Sequence, residues 1–500
     1  MVNNNSKRIA TGYFAVLVAV AALYIATCAP GLLWQDSGMI QYRVWHNDIE
    51  GGLGLALSHP LFYILAIGTK YVPFGEFAYR VNLVSAIAAA VAVANVFLLL
   101  RLWLGRNIPA LIAAVTLAVS HTFWRHACIA ETYTLYMTLF VAELIMLLQY
   151  VKTSRVSYLY WLGLFNGLAI ADHMFASIPF MCYLVFLAVL LGKKQIKLKH
   201  IGLIVVLWVV GALPYEYLIV KNIIQSGNVA GTLASAAFGS NWQGAVLNTC
   251  LSLRIVKENF LFLLLNFPTP NVLLFFAGCF GLFKFSPRRA FTNILLALLI
   301  LFFIFAFRYT VVDRYAFFIP FYFVVSIFTG VGIHFLQSKI RGKVFVYVVL
   351  IFSMLPVAAY AVAPKLAENM GLGLGTKRKI AYRNDYTYFL QPWKTGYRGA
   401  QHFALQALDS VEKGAVIYAD GTTVYPLILT QQVEGRRRDV TIVSRHGTVN
   451  NLQDYNEDVI DKLFAERAVY VVSAVAGYCP QFLLERYSFV PAGVIYRAVK

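Results

Sequence analysis

Leu33 to Asn82 reads LWQDSGMIQYRVWHNDIEGGLGLALSHPLFYILAIGTKYVPFGEFAYRVN. This stretch decides the fold. It sets one acidic residue, Asp36, just beyond the first hydrophobic span and follows it with a His-Pro segment, Ser58 to Phe74, that is apolar but poorly suited to crossing a membrane. About 17 residues that include Lys70 and two prolines are marginal for a span. Non-spanning backbone is tolerated at membrane depth only where protein covers it or it lines a cavity. The segment therefore reads as a re-entrant or juxtamembrane helix beside a polar cavity.

The rest of the chain sets the context. Of its 500 residues 60% are hydrophobic and only 13% charged, more apolar surface than one water-soluble core hides. Apolar runs of span length, about 17 to 25 residues, fall near residues 9–29, 81–100, 108–124, 131–151, 157–172, 174–191, 201–220, 259–283, 290–307, 315–336 and 343–363. Eleven transmembrane helices are expected, the first as an uncleaved signal anchor because its apolar run exceeds the usual signal-peptide core. The chain reads as a multi-pass protein of a bacterial inner membrane, or of the endoplasmic reticulum if eukaryotic, with the lipid bilayer as its first partner.

A net charge of +19 raises nucleic acid as a partner, and the placement of the charge argues against it. Six short connections, holding Lys7 and Arg8, Arg101 and Arg106, Lys152 and Arg155, Lys193, Lys194, Lys197 and Lys199, Lys284, Arg288 and Arg289, and Lys339, Arg341 and Lys343, contain sixteen basic residues and no acidic one. Basic loops stay in the cytoplasm. Counting Ser58 to Phe74 as a twelfth span would send most of them outside, so it is left non-spanning. The amino terminus is then cytoplasmic and the carboxyl terminus extracytoplasmic. Loop 222–258, with Trp242, Arg254, Lys257 and Glu258, is the longest outer connection of the membrane half and reads as carrying an amphipathic surface helix.

Hydropathy falls after Ala363, and Pro364 is expected to end the last helix. The boundaries follow: a transmembrane domain over 1–363 and a soluble α/β domain over 364–500, in which GAVIYAD, DVTIVS, AVYVVSA and VIYRAV read as strands and VYPLILTQQVEG as a helix closed by Gly435. The six cysteines are scattered without a CxxC pair, which indicates neither a metal site nor a disulfide framework.

With these sides assigned, Asp36, His59, Arg80, Arg125, His126, Glu131, Asp172, His173, Arg308, Asp313 and Arg314 all fall at outer helix ends or in outer loops. Ionisable groups beside hydrocarbon are costly, and as a set they point to a polar site. A carboxylate takes a proton from a hydroxyl, while Arg and Lys bind phosphate. Together they suit transfer of a group from a membrane-bound phosphate to an alcohol.

The series WQDSG, SHPLFY, FGEFAYRVNLVSA, FWRHACIAETYTLYM, LAIADHMF, VVDRYAFFIPFY and ADGTTVYPLILTQQVEGRRRDVTIV resembles, in order along most of the chain, a GT-C-type membrane glycosyltransferase group that includes a eukaryotic endoplasmic-reticulum protein O-mannosyltransferase. The resemblance implies a polyprenyl-phosphate-linked sugar donor, a protein, glycan or lipid acceptor, and a catalytic acid in the first outer loop. Carried onto this sequence, the acid is Asp36, the His-Pro motif is His59-Pro60, and the further acidic or His positions are Glu131 and Asp172-His173. The expected reaction is inverting transfer with Asp36 as base. Arg80, Arg308 or Arg314 is expected to hold the leaving phosphate, and His59 to hydrogen-bond or protonate it. Asp313-Arg314 reads equally as a structural pair. Many relatives carry two adjacent acids where Asp36 is followed by Ser37, so no cofactor is expected, and a divalent metal stays open. A transporter or flippase of lipid-linked sugars is the alternative, with its site near the midplane between repeated halves. No repeat is visible.

Overall fold

Apolar runs become helices because hydrocarbon offers the backbone no other hydrogen-bond partner. The computed structural model describes residues 2–239, 243–311, 313–340, 342–374, 378–444 and 457–499. A first long helix, α1 (Val2–Thr27), leads into two short ones, α2 (Gln35–Trp45) and α3 (Pro60–Gly68). Then come α4 (Phe77–Leu104), α5 (Asn107–Ala118), α6 (His121–Ala127), α7 (Tyr133–Thr153), α8 (Ser157–Asp172), α9 (Ser177–Gly192) and α10 (Leu198–Ser226). The membrane half closes with α11 (Val229–Phe238), α12 (Gln243–Val246), α13 (Leu253–Asn266), α14 (Leu273–Phe285), α15 (Arg289–Arg308), α16 (Ile319–Gln337) and α17 (Lys343–Asn369).

Among the described residues eight helices are long and apolar enough to cross a membrane, or up to ten if each of two bent pairs makes one span. Two of the eleven expected spans are therefore broken. The run at 108–124 is α5 and α6 meeting at 70°, and the run at 259–283 is α13 meeting residues 270–285 at 104°. The second break follows from Pro268 and Pro270, each of which removes a backbone N–H and disfavours helix in the residue before it. The first releases α6, with His121, Arg125 and His126, from the path of the span. α8 has 16 residues, about 24 Å at 1.5 Å per residue.

Ser58 to Phe74 forms only a nine-residue helix, α3, between two 3-10 turns. About 14 Å of helix cannot cross about 30 Å of hydrocarbon. Contrary to the expectation that Pro364 ends the last helix, α17 runs through Pro356 and Pro364 to Asn369. A proline costs a helix one donor and crowds one carbonyl, a loss that neighbouring groups make good in membrane helices. The outer loop 222–258, expected to carry a surface helix, holds α11, α12 and the first residues of α13; Trp242 lies outside the described residues.

Beyond α17 the chain forms α18 (Asp385–Leu390), α19 (Gly399–Asp409), β1 (Val416–Tyr418), α20 (Val424–Glu434), β2 (Thr441–Val443), α21 (Glu457–Glu466), β3 (Val469–Val471), α22 (Gln481–Arg486), β4 (Ser488–Ala492) and β5 (Ile495–Val499). The sheet order is β2-β1-β3-β5-β4, with β2, β1 and β3 parallel and β5 and β4 antiparallel. The four expected strands and the helix closed by Gly435, at φ 70, are present. β4 was not foreseen, because its Pro491 argues against a strand except at a sheet edge, which is where it lies.

The tail packs onto one end of the helix bundle and shares a core with it. Trp34, Tyr42, Phe62, Tyr63 and Val81 from the membrane half are in one buried cluster with Phe403, Ile417, Tyr425 and Leu427 from the tail. Cross-joints reinforce the contact, among them Trp34 Nε1 to Tyr397 Oη at 2.6 Å, Gln35 N–H to Thr422 O at 3.2 Å and Lys394 N–H to Thr27 O at 2.8 Å.

Candidate active site

The chain from Ala29 to Trp45 is held by a buried amide network. Gln41 accepts from Leu33 N–H at 3.1 Å and donates to Asn82 Oδ1 at 2.9 Å, and Asn82 donates to Ala29 O at 2.9 Å. Arg43, also buried, lies 3.6 Å over the Tyr63 ring, donates to Ser58 O at 3.0 Å and pairs with Asp48 at 3.6 Å. α2 is thereby fixed between α4 and the tail. Asp36 sits in its first turn, where the helix dipole favours a carboxylate.

Asp36 is exposed to solvent, yet protein surrounds it closely enough to desolvate it. Burial pushes its carboxyl above the ordinary range, and the nearby Arg125 guanidinium pulls it back. Two more acids share the space. Glu131, between α6 and α7, has its N–H bonded to Ser85 Oγ at 2.9 Å and accepts from Ser37 Oγ at 3.3 Å. Its carboxyl is raised well above normal by burial and by Asp36. Asp313, between α15 and α16, is pushed up to about 6 by burial and then by Asp36. Burial thus raises all three carboxyls, and the Asp36 charge adds to the rise at Glu131 and Asp313.

The cation among them is Arg125 on α6, buried, with its Nε buried and without a hydrogen-bond partner. It donates from Nη1 to Tyr315 Oη, and its guanidinium lies 5.3 to 5.5 Å from the rings of Tyr315, Tyr388 and Phe389. Tyr388 belongs to the tail, and its ring also meets Arg383 at 4.8 Å and Lys394 at 5.3 Å. Arg383 pairs with Asp385 at 2.7 Å. Burial, then Arg125, drives the Lys394 amine well below its usual value, and it donates to the backbone carbonyl of Gln391. Tyr388 and Phe389 thus bring the tail against Arg125.

Residues 56–196 match the family model of the Protein O-mannosyl-transferase TMEM260 N-terminal domain. The Mus musculus Protein O-mannosyl-transferase TMEM260 is 28% identical over 217 residues, which are 42% of this chain and 30% of that protein. The match thus spans less than a third of the relative's length. Among solved structures, ArnT from Cupriavidus metallidurans bound to undecaprenyl phosphate superposes with a TM-score of 0.59 at 16% identity, over 98% of each chain. The archaeal oligosaccharyltransferase AglB from Archaeoglobus fulgidus, in complex with an inhibitory peptide and a dolichol-phosphate, gives 0.50 at 14% identity over 92% of this chain and 69% of that one. The chain has the GT-C fold.

Within this GT-C bundle the expected site residues separate into groups. Asp36, Glu131 and Asp313 converge. His59, Asp172 and His173 also meet, at the junction of α3 and α8, where His59 Nδ1 donates to the Asp172 carbonyl at 2.6 Å. The Asp172 carboxylate is fully buried, and neither of its oxygens has a hydrogen-bond partner among the described residues. The three expected phosphate cations each bond to other groups through Nη atoms, although the Nε of Arg80, like that of Arg125, is buried without a partner among the described residues. Arg80 donates to Phe74 O and Gly75 O at 3.2 and 3.1 Å. Arg308 donates to Asn248 O at 2.7 Å and to Val246 O. Arg314 is buried and bound to Glu258 and Asn259, so its structural partner is Glu258 rather than Asp313. Nearby acids outside this group are engaged too: Glu50 with Lys221 at 2.6 Å, and Asp48 as acceptor from the N–H of Gly51 at 2.8 Å. Among the described residues no three His, Cys, Asp or Glu side chains group as metal ligands.

Sequence reasoning placed Arg125 at the right end of the bundle without choosing it; its signal was FWRHA, a charged pair closing an apolar run. Tyr315 and Tyr388 had no such signal, since each is one of 30 tyrosines.

Proposed function

We propose that this protein is an inverting membrane glycosyltransferase that moves a hexosyl group from a polyprenyl-phosphate-linked donor to an acceptor hydroxyl, with protein O-mannosylation as the specific reaction. The observation that carries the reading is the convergence of Asp36, Glu131, Asp313 and Arg125 where the bundle end meets the tail, with Ser37 bonded to Glu131 and Arg125 set against the Tyr388 and Phe389 rings. Asp36 accepts the proton of the acceptor O–H as that oxygen bonds to the anomeric carbon. The bond from that carbon to the phosphate oxygen breaks, and its electron pair leaves with the lipid phosphate. Arg125, with its incompletely satisfied guanidinium, holds the charge that develops there.

The Mus musculus relative supports a protein acceptor by its name, and the ArnT and AglB structures support a lipid phosphate by their ligands. The basic connections support a cytoplasmic amino terminus and an extracytoplasmic cavity. The pairing of Asp36 with Ser37 favours base catalysis without a divalent metal, so chelation should leave the rate unchanged. The test is incubation of the purified protein with radiolabelled polyprenyl-phosphate mannose and a serine- and threonine-rich peptide. The expected result is release of free polyprenyl phosphate with label in the peptide at inverted configuration. Donor that is moved across vesicles but never cleaved would make the protein a flippase.

A further inference from the structure

His59 and His173 lie together at the junction of α3 and α8, and the reaction as written does not use them. Both are half-buried, with ring centroids 4.8 Å apart. His59 caps the start of α3 at φ 50, a left-handed conformation rarely adopted by a residue with a side chain and one that clusters at functional sites.

Their tautomers follow from their partners. A backbone carbonyl only accepts, so the 2.6 Å bond from His59 to Asp172 O requires a proton on His59 Nδ1. A backbone N–H only donates, so the 3.2 Å bond from Phe175 N–H to His173 requires a bare Nδ1 there. In the neutral rings His59 Nε2 is then an acceptor and His173 Nε2–H a donor. Burial keeps them neutral. It pushes His59 down to about 4, against the pull of the Asp172 carbonyl and with Arg43 assisting, and it pushes His173 well below its usual value with His59 assisting. His59 is thus in no state to protonate a phosphate at neutral pH, and a bare Nε2 repels an oxyanion.

One acceptor beside one donor, both uncharged, is complementary to a hydroxyl, which donates and accepts at a single oxygen. The surroundings are aromatic. Tyr133 lies 5.1 Å from the His173 ring and Phe175 stacks on it at 4.5 Å. Tyr133 also lies within electrostatic reach of Asp36, Glu131 and Asp313, which joins this corner to the acids.

We propose that His59 and His173 form the sugar subsite of this transferase, in which one hydroxyl of the donor hexose donates to His59 Nε2 and accepts from His173 Nε2–H. The inference rests on the glycosyltransferase reading and names the part of the donor that the corner recognises. Donor mannose is favoured over the acceptor's hydroxyl because the acceptor's proton is taken by Asp36, and a pyranose ring has apolar faces to set against Tyr133.

The experiment uses four polyprenyl-phosphate mannose donors, each lacking the 2-, 3-, 4- or 6-hydroxyl, against the wild type, His173→Phe and His59→Asn. The asparagine variant tolerates the left-handed backbone, and thermal melting checks that both fold. Donor affinity and kcat/KM are both read. In the wild type, one deoxy donor should lose about 10- to 100-fold, because a polar site is left unpaired by the missing group. Each variant should lose a similar factor with the intact donor, and little more when the same hydroxyl is missing. If the losses multiply at every position, or if they couple to serine-for-threonine changes in the acceptor instead, the pair does not read donor sugar. Coupling seen in affinity without any turnover would sustain the subsite while refuting the transferase, whereas turnover without coupling would do the reverse.

Discussion

Arg125 and Arg314 are both buried arginines near the converging acids, and they differ in what satisfies them. Arg314 is bound through Nη1 and Nη2 to Asn259 and Glu258, a carboxylate that brings no acid of the cavity with it. Arg125 has one neutral hydroxyl partner, three aromatic rings, an unbonded Nε and the Asp36 and Glu131 carboxyls in its field. A buried cation with its partners in place is structure; one with donors unspent and acids beside it is equipment for a substrate. Position along the chain does not distinguish the two.

That contrast breaks down first at Arg125. Arg125→Gln should lower kcat by about 10²- to 10³-fold, the scale for removing one preorganised charge donor, with thermal melting little changed. It should also move the pH profile. Asp36 must be ionised to act as base, its carboxyl already sits above the ordinary range, and Arg125 is what pulls it down. The wild-type rate should therefore rise with pH through a value above about 4, and the variant's acidic limb should shift to higher pH. An unshifted limb would remove Arg125 from the field of the base.

Arg314→Gln should show the opposite pattern. Losing charged hydrogen bonds should cost about 2 kcal/mol of stability, read as a lower denaturation midpoint, while the folded fraction keeps a near-normal donor KM. A large KM rise with unchanged stability would return Arg314 to the phosphate. The smallest effect is expected at Arg80, whose bonds go to the loop carbonyls of Phe74 and Gly75. Arg80→Gln should stay within about 0.5 kcal/mol and leave the rate near wild type.

Much of the architecture was legible because its signal is local. Hydropathy over a window locates a span, and alternation with Gly435 locates the sheet elements of the tail. The bend between α13 and the following helix was written in Pro268 and Pro270, but a hydropathy window averages over it. The run of α17 past Pro364 was hidden for the converse reason, since the local rule says stop and tertiary surroundings allow passage. The site was half legible. Asp36, Glu131 and Asp313 were each read at one end of the bundle, where they do meet, because charge beside hydrocarbon is conspicuous. Which cation joins the acids depends on contacts between residues far apart in sequence, such as Arg125 with Tyr315 and Tyr388, and no spacing rule carries those. The core shared by Trp34 and Phe403 was hidden in the same way.

The central claim is that Asp36 is the base, and the most direct test is the single-turnover transfer rate of Asp36→Asn with donor binding measured alongside. The asparagine keeps the size and hydrogen bonding but takes no proton at neutral pH. The account predicts a loss of about 10²- to 10⁴-fold in rate, with donor affinity and melting temperature nearly unchanged. Retention of more than about a tenth of the wild-type rate, well short of a general base's contribution, would contradict it and leave Asp36 a structural residue of α2.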